Sequence, residues 1–84
     1  MNSKQAKTKK AIFSQPIKKN TTYEEIVSLL LTLGCKVEQG AGSRVAFIKG
    51  KKILRFHKPH PENTLKTYVI QEIRNFLLEI GVKP

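Results

Sequence analysis

The spacing of apolar residues changes twice between positions 22 and 80, and this change constrains the fold most strongly. Residues 22 to 33 carry apolar side chains at helical spacing, led by Ile26, Leu30 and Leu33. Residues 35 to 57 then alternate in short runs, and the helical spacing returns from about 65 to 80. The pattern predicts a helix, three strands and a helix, in that order.

Local signals set the bounds of these elements. Thr22 and Glu25 have the spacing of a capping box, and Gly34 suits the end of the first helix. Asn63 or Thr64 is expected to cap the last helix. The predicted strands are 35–39, 44–49 and 52–57, with a hairpin turn at 50–51 and prolines after the third strand. Two helices on one face of a three-stranded antiparallel sheet make a two-layer α+β sandwich.

Charge is the second strong signal. The 84 residues allow one domain, and 16 Lys and Arg against 6 Asp and Glu give a net charge of +10. Residues 1–20 contain six lysines and no acid, which predicts a basic, partly disordered N-terminal arm before a folded domain at 21–84. This balance favours a polyanionic partner, and nucleic acid is the first candidate.

Other classes of protein fit the sequence poorly. No apolar run approaches the roughly 18 residues of a transmembrane helix, and no apolar segment follows the basic start as in a secretory signal. The single cysteine, Cys35, excludes an internal disulfide and suits a reducing compartment. We therefore expect a cytoplasmic protein.

The basic residues of the predicted strands favour RNA binding. Between Glu38 and Glu62 there is no acidic residue, while six basic residues occur there: Arg44, Lys49, Lys51, Lys52, Arg55 and Lys58. Lys and Arg supply most non-specific affinity for phosphate backbones. Ser43, in the loop GAGSR, adds a hydroxyl and free backbone N–H groups. The loop lacks the Lys-Ser/Thr ending of a nucleotide P-loop.

Two histidines, His57 and His60, lie in the stretch RFHKPHP. Histidine titrates near neutral pH, so it can move the proton that attack of a ribose 2′-OH on its phosphate requires, while neighbouring cations stabilise the charge. The alternative is a structural turn in which one histidine caps the last helix or pairs with Glu62. Two histidines and one cysteine do not assemble four metal ligands, so we expect no metal and no cofactor.

The order of these motifs resembles the HicA-type toxins of bacterial toxin–antitoxin pairs. The resemblance covers roughly residues 21 to 82: a helix, GSRVAF opening a strand, a hairpin, and a third strand ending in a histidine-proline turn before the last helix. It implies a fold similar to a double-stranded-RNA-binding domain and a metal-independent endoribonuclease that cuts mRNA. It also implies a HicB-type antitoxin that covers the active site.

The resemblance also implies roles for individual residues. The family's catalytic histidine follows the Gly-Ser of the loop, and this chain has Arg44 there. Arginine stays protonated, so it can stabilise a phosphate but cannot act as a base. Proton transfer then falls to His57 as first choice and to His60 as second, with Arg55 assisting Arg44. Two alternatives stay open: a non-catalytic RNA-binding module of the same fold, and a basic domain that binds an acidic protein.

Overall fold

The computed structural model describes residues 1–84, which form three helices and one sheet. The elements are α1 (Ser3–Ile12), α2 (Tyr23–Thr32), β1 (Lys36–Gln39), β2 (Arg44–Lys49), β3 (Lys52–His57) and α3 (Thr67–Glu79). The strands are antiparallel and lie in the order β1-β2-β3. The predicted α+β fold with its α-β-β-β-α order is confirmed, with one further helix before it.

Helix α2 begins at a capping box, whereas α3 begins without a side-chain cap. The backbone N–H of Glu25 donates to Thr22 Oγ1 at 3.2 Å, and the N–H of Thr22 donates to Glu25 Oε1 at 2.9 Å, which completes the predicted capping box. The predicted cap of the last helix is wrong, because the N-cap of α3 is Lys66 and it has no side-chain cap bond. Asn63 and Thr64 pair instead with the start of α2.

The two faces of the sheet differ in composition. Strand alternation places buried Val45, Phe47, Leu54 and Phe56 on one side, here called the covered face, and they join α2 and α3 in a single core. The opposite side, here called the open face, carries Lys36, Glu38, Arg44, Ala46, Ile48, Ile53, Arg55 and His57. Both predicted helices therefore pack on one face of the sheet, and the other face meets solvent.

Helix α1 lies within residues 1–20, which the sequence predicts to be a basic, partly disordered arm. Ile12 is fully buried in the core, and α1 packs against α2 and α3. The guanidinium of Arg74 donates to the carbonyls of Ile12 and Ser14 at 2.9 and 2.8 Å. Gln5 donates to Ser28 Oγ at 2.9 Å. Residues 3–12 are therefore ordered on the helix layer, while the division of the chain at residue 20 stays a prediction.

The segment between β3 and α3 is held at both ends. The N–H of Lys58 donates to the carbonyl of Ser43 at 2.8 Å, directly after β3. The N–H of Leu65 donates to the carbonyl of Thr21 at 2.9 Å, and the Leu65 side chain is buried. The histidine-proline turn thus spans two fixed points beside the end of the sheet. None of the three helices has the length and apolar character needed to cross a membrane.

Candidate functional site

His57 is the best placed of the predicted catalytic residues. It is the last residue of β3, it lies opposite Arg44 of β2, and its side chain is exposed on the open face. Its Nδ1 lies 3.1 Å from Ser43 Oγ. That hydrogen bond runs in either direction, because Nδ1 accepts in one imidazole tautomer and donates in the other. In both tautomers Ser43 holds the ring through Nδ1, which leaves Nε2 to meet a substrate.

A depression of about 350 Å³ lies on the open face beside His57. Its polar lining comes from all three strands, namely Glu38, Gln39, Arg44, Arg55 and His57. Arg44 faces His57 across the strands, and Arg55 faces Ala46, so the two arginines are diagonal neighbours. Such neighbours stand about 7–8 Å apart, which suits two cations that share one anion. Neither arginine has a carboxylate partner, since the one ion pair joins Lys52 to Glu79 at 3.6 Å.

Glu38 is a site residue that the sequence analysis missed. It shares a row of the sheet with Ala46 and Arg55, on the open face, and it lines the same depression. The signal was present in the alternation of β1, because half-buried Val37 faces the core and its neighbour must then face outward. An acid in the same row as Arg55 gives this face a mixed electrostatic field rather than a uniformly positive one.

A second depression, of about 630 Å³, lies beyond the end of β3. The histidine-proline turn and the first residues of α3 line it, and His60 lies on its rim as an exposed side chain. His57 lines both depressions. It therefore stands at the boundary between the open face and the turn.

The predicted RNA-binding lysines separate into two groups. Lys58 lines the second depression, and its Nζ donates at 2.9 Å to Oε1 of Gln39, a residue that lines the open-face depression. Lys49 and Lys52 lie at the hairpin end, on the side of the covered face. Lys49 donates to the carbonyl of Leu33 at 2.8 Å, and Lys52 pairs with Glu79.

The distance along the sheet keeps the hairpin group away from the histidine. β2 has six residues, so its two ends are roughly 17 Å apart at strand spacing. Lys49, Lys52 and the turn residue Lys51 occupy the far end. The structure thus brings together Ser43, Arg44, Arg55, His57 and Lys58, with His60 next to them, and leaves the hairpin lysines apart. The binding roles of all these residues stay predictions.

Buried Cys35 and partly buried Tyr23 show the effect of the core on ionisation. Burial raises the pKa of the Cys35 thiol, with the charge of Lys49 acting in the opposite direction. Burial also raises the pKa of Tyr23, which a hydrogen bond to Gln39 partly offsets. Cys35 therefore stays a protonated thiol at neutral pH and is a poor nucleophile. No three His, Cys, Asp or Glu side chains lie together as a potential metal site.

Fold and site together define a small basic α+β protein that presents one sheet face, with an exposed histidine and two unpaired arginines, to solvent. Residues 23–82 match the family described as the HicA toxin of bacterial toxin-antitoxin systems. This match spans most of the chain, so the chain belongs to the HicA toxin family and is the toxin of a toxin–antitoxin pair. No curated protein and no solved structure gives a significant match. Helix α1 lies outside the matched residues.

Proposed function

We propose that the chain is a cytoplasmic endoribonuclease that cuts mRNA without a metal ion and is neutralised by a HicB-type antitoxin. The observation that carries this proposal is the position of His57. Ser43 Oγ lies 3.1 Å from Nδ1 of His57, and Arg44 faces His57 across the strands. Nε2 is therefore left for a substrate. A proton acceptor beside unpaired cations is the minimum equipment for cleavage by the ribose 2′-OH.

The proposed reaction begins with proton transfer. The base is the tautomer of His57 in which Nδ1–H donates to Ser43 Oγ, because only then does Nε2 carry a free lone pair. Nε2 takes the proton of the 2′-OH, and the 2′ oxygen attacks the adjacent phosphorus. The bond from phosphorus to the 5′ oxygen then breaks, which leaves a 2′,3′-cyclic phosphate and a 5′ hydroxyl. Arg44 and Arg55 stabilise the extra negative charge of the phosphorane, because both guanidinium groups stay protonated throughout.

The leaving 5′ oxygen needs a proton, and His60 is its candidate donor. His57 and His60 both line the second depression, so in the proposed complex a phosphate bound there has both histidines in its lining. His60 makes no side-chain hydrogen bond that would hold it elsewhere. In this scheme His57 is the base and His60 the acid, and water replaces His60 at reduced rate when it is removed.

The antitoxin is expected to cover the open face. Arg44, Arg55 and His57 are exposed there, and no segment of this chain lies over them. A protein that masks this face needs acidic groups opposite the arginines, since charge complementarity sets both the encounter rate and the register of such interfaces.

A second function is favoured by one observation. Arg44 occupies the position that holds a histidine in the family pattern, so the fold could retain RNA binding without cleavage. Such a module would bind RNA equally well with or without its histidines. Both the ribonuclease and the RNA-binding module differ from a protein that only binds an acidic partner in the salt dependence of RNA binding. About five phosphate contacts give a slope near −3 to −4 when the logarithm of the single-stranded RNA-binding constant is plotted against the logarithm of salt concentration.

The test is RNA cleavage in EDTA by the parent, His57→Ala, His60→Ala and Lys7→Ala, the last as a control on the exposed side of α1, outside both depressions. We expect His57→Ala to lose about 10²–10⁴-fold in rate, His60→Ala to lose less, and Lys7→Ala to match the parent. The products should end in a cyclic phosphate, and a 2′-deoxy residue at the cut should block it. Intact RNA with the parent, at concentrations where RNA is bound, would leave only the binding module.

A further inference from the structure

Tyr68 is an exposed aromatic residue with no role in the core. It is the second residue of α3, and 63% of its surface is accessible, while the next two residues, Val69 and Ile70, are buried. The other tyrosine, Tyr23, packs edge-on against Phe56 with ring centroids 6.2 Å apart. Aromatic residues such as tyrosine are enriched at binding interfaces relative to the rest of the surface.

The surroundings of Tyr68 indicate what it would bind. It lines the 630 Å³ depression together with His57 and three lysines from separate segments, Lys19, Lys58 and Lys66. Glu62 is the one acidic residue of that lining. The volume lies within the usual range of small-molecule sites. An aromatic face surrounded by cations has the chemistry that a nucleotide needs, with stacking for the base and charge for the phosphate.

We propose that Tyr68 is a stacking platform for one unpaired RNA base, adjacent to the phosphate at His57. This inference rests on the proposed function, because it takes the RNA backbone to pass His57. It adds that the substrate is single-stranded at this position, since a base inside a duplex has no free face to stack on a protein side chain. Tyr68 is then a binding residue that sets where along an RNA the histidine acts.

The position of His57 supports this geometry. One depression holds the two open-face arginines and the other holds Tyr68, and His57 lines both. A strand whose phosphate lies between Arg44 and His57 therefore continues into the second depression, where its next base reaches Tyr68. The lysines of that depression meet the following phosphates. The two depressions thus form one path, with the histidine at its midpoint.

The first test measures binding without cleavage. A short single-stranded oligonucleotide with 2′-O-methyl groups cannot react, so its affinity for the parent, Tyr68→Phe, Tyr68→Leu and Tyr68→Ala reports the subsite alone. We expect Tyr68→Phe to bind like the parent and Tyr68→Ala to bind about 5- to 150-fold more weakly. Tyr68→Leu should resemble Tyr68→Ala if stacking, rather than apolar bulk, is the cause. Leu78→Ala, another exposed apolar residue of α3, is the matched control and should bind like the parent.

The second test locates the base. A single abasic residue is moved along the oligonucleotide, and the affinity of the parent should fall at one position to that of Tyr68→Ala. Tyr68→Ala should lose nothing further at that position, because the two changes remove the same contact. Unchanged affinity of Tyr68→Ala for the intact oligonucleotide would overturn the proposal, and so would losses that simply add.

The outcomes separate the subsite from the nuclease. If the parent binds with the expected Tyr68 dependence but cuts no RNA, the subsite stands and the catalytic proposal fails. If the parent cuts RNA and Tyr68→Ala binds and cuts equally well, the subsite fails and the nuclease stands. If the parent binds no single strand even at low salt, both fail.

Discussion

The covered and open faces of the sheet are built from alternate residues of the same strands, yet they do different work. On the covered face, Phe47 and Phe56 stack with ring centroids 5.7 Å apart and exclude water together with α2 and α3. On the open face, Arg55 and His57 are exposed, and Ser43 fixes the histidine ring. Stability and the candidate chemistry thus reside on opposite sides of one layer of backbone.

This difference shows that a count of charges along a strand does not give the number on each face of the sheet, because alternate residues face opposite sides. Lys49 and Lys52 lie between open-face residues in sequence but on the covered side in space. Lys49 there holds the end of α2 through the carbonyl of Leu33, so its charge serves the helix terminus. The arginines at 44 and 55 carry the same charge and face solvent. The proposed function therefore depends on the charges of the open face rather than on the net charge of the chain.

The largest expected effect is the difference in unfolding free energy lost by one substitution on each face of the sheet. Phe47→Ala should lower the free energy of unfolding by about 3–5 kcal/mol, because it leaves a cavity in the middle of the core. Ile53→Ala, at a residue of β3 that is 46% exposed on the open face, should cost far less. Urea unfolding of both variants measures this directly. Equal losses would mean that the open face is also buried, for example in a dimer.

The next effect concerns α1, whose two sides repeat the same contrast. Lys4, Lys7 and Lys10 face solvent, whereas Ile12 is fully buried. Ile12→Ala should therefore cost about 2–5 kcal/mol in unfolding free energy. Lys7→Ala, on the exposed side of α1, is the control and should be nearly neutral. An Ile12→Ala variant with the same free energy of unfolding as the parent would support the partly disordered N-terminal arm that the charge pattern predicted.

The sequence predicted most of the sheet because its signals are local. Alternation and the Gly50-Lys51 turn set β2 and β3 at the bounds that the structure has, and the Thr22 capping box set the start of α2. Helix α1 was missed because its order depends on partners distant in the chain, such as Arg74, which no local spacing reveals. The depressions beside His57 join residues of all three strands, the histidine-proline turn, α3 and the separate Lys19, so sequence alone could name the histidine but not its surroundings.

Two charge-matched variants test whether RNA contacts the open face. Arg55→Gln and Lys52→Gln each remove one positive charge, one from the open face and one from the covered side. Arg55→Gln should reduce the log–log salt slope of single-stranded RNA binding by about 0.7, the share of one phosphate contact. Lys52→Gln should leave the slope unchanged, because Lys52 pairs with Glu79 at the far end of the hairpin. Equal changes in slope would show that net charge, rather than the open face, attracts RNA.

The smallest effect is a loss of stability at alkaline pH that arises from Cys35 and Tyr23 in and beside the core. Burial raises the folded-state pKa of Cys35 above its ordinary value of 9.0 and that of Tyr23 above 10.0. At high pH the folded chain then binds more protons than the unfolded chain, so the free energy of unfolding falls as pH rises. The contribution is complete below the ordinary values and is lost as pH rises through the raised ones.

Unfolding of the parent, Cys35→Ala and Tyr23→Phe from neutral pH to about pH 11 measures this alkaline loss, since that range spans the ordinary pKa values of thiol and phenol. Each variant removes one ionisable group, so its stability should fall less steeply with pH than that of the parent, whatever its stability at neutral pH. The slope is informative here, because Cys35→Ala and Tyr23→Phe also change packing and hydrogen bonding. A parent and variants with parallel alkaline curves would mean that neither group is held away from water by the covered face.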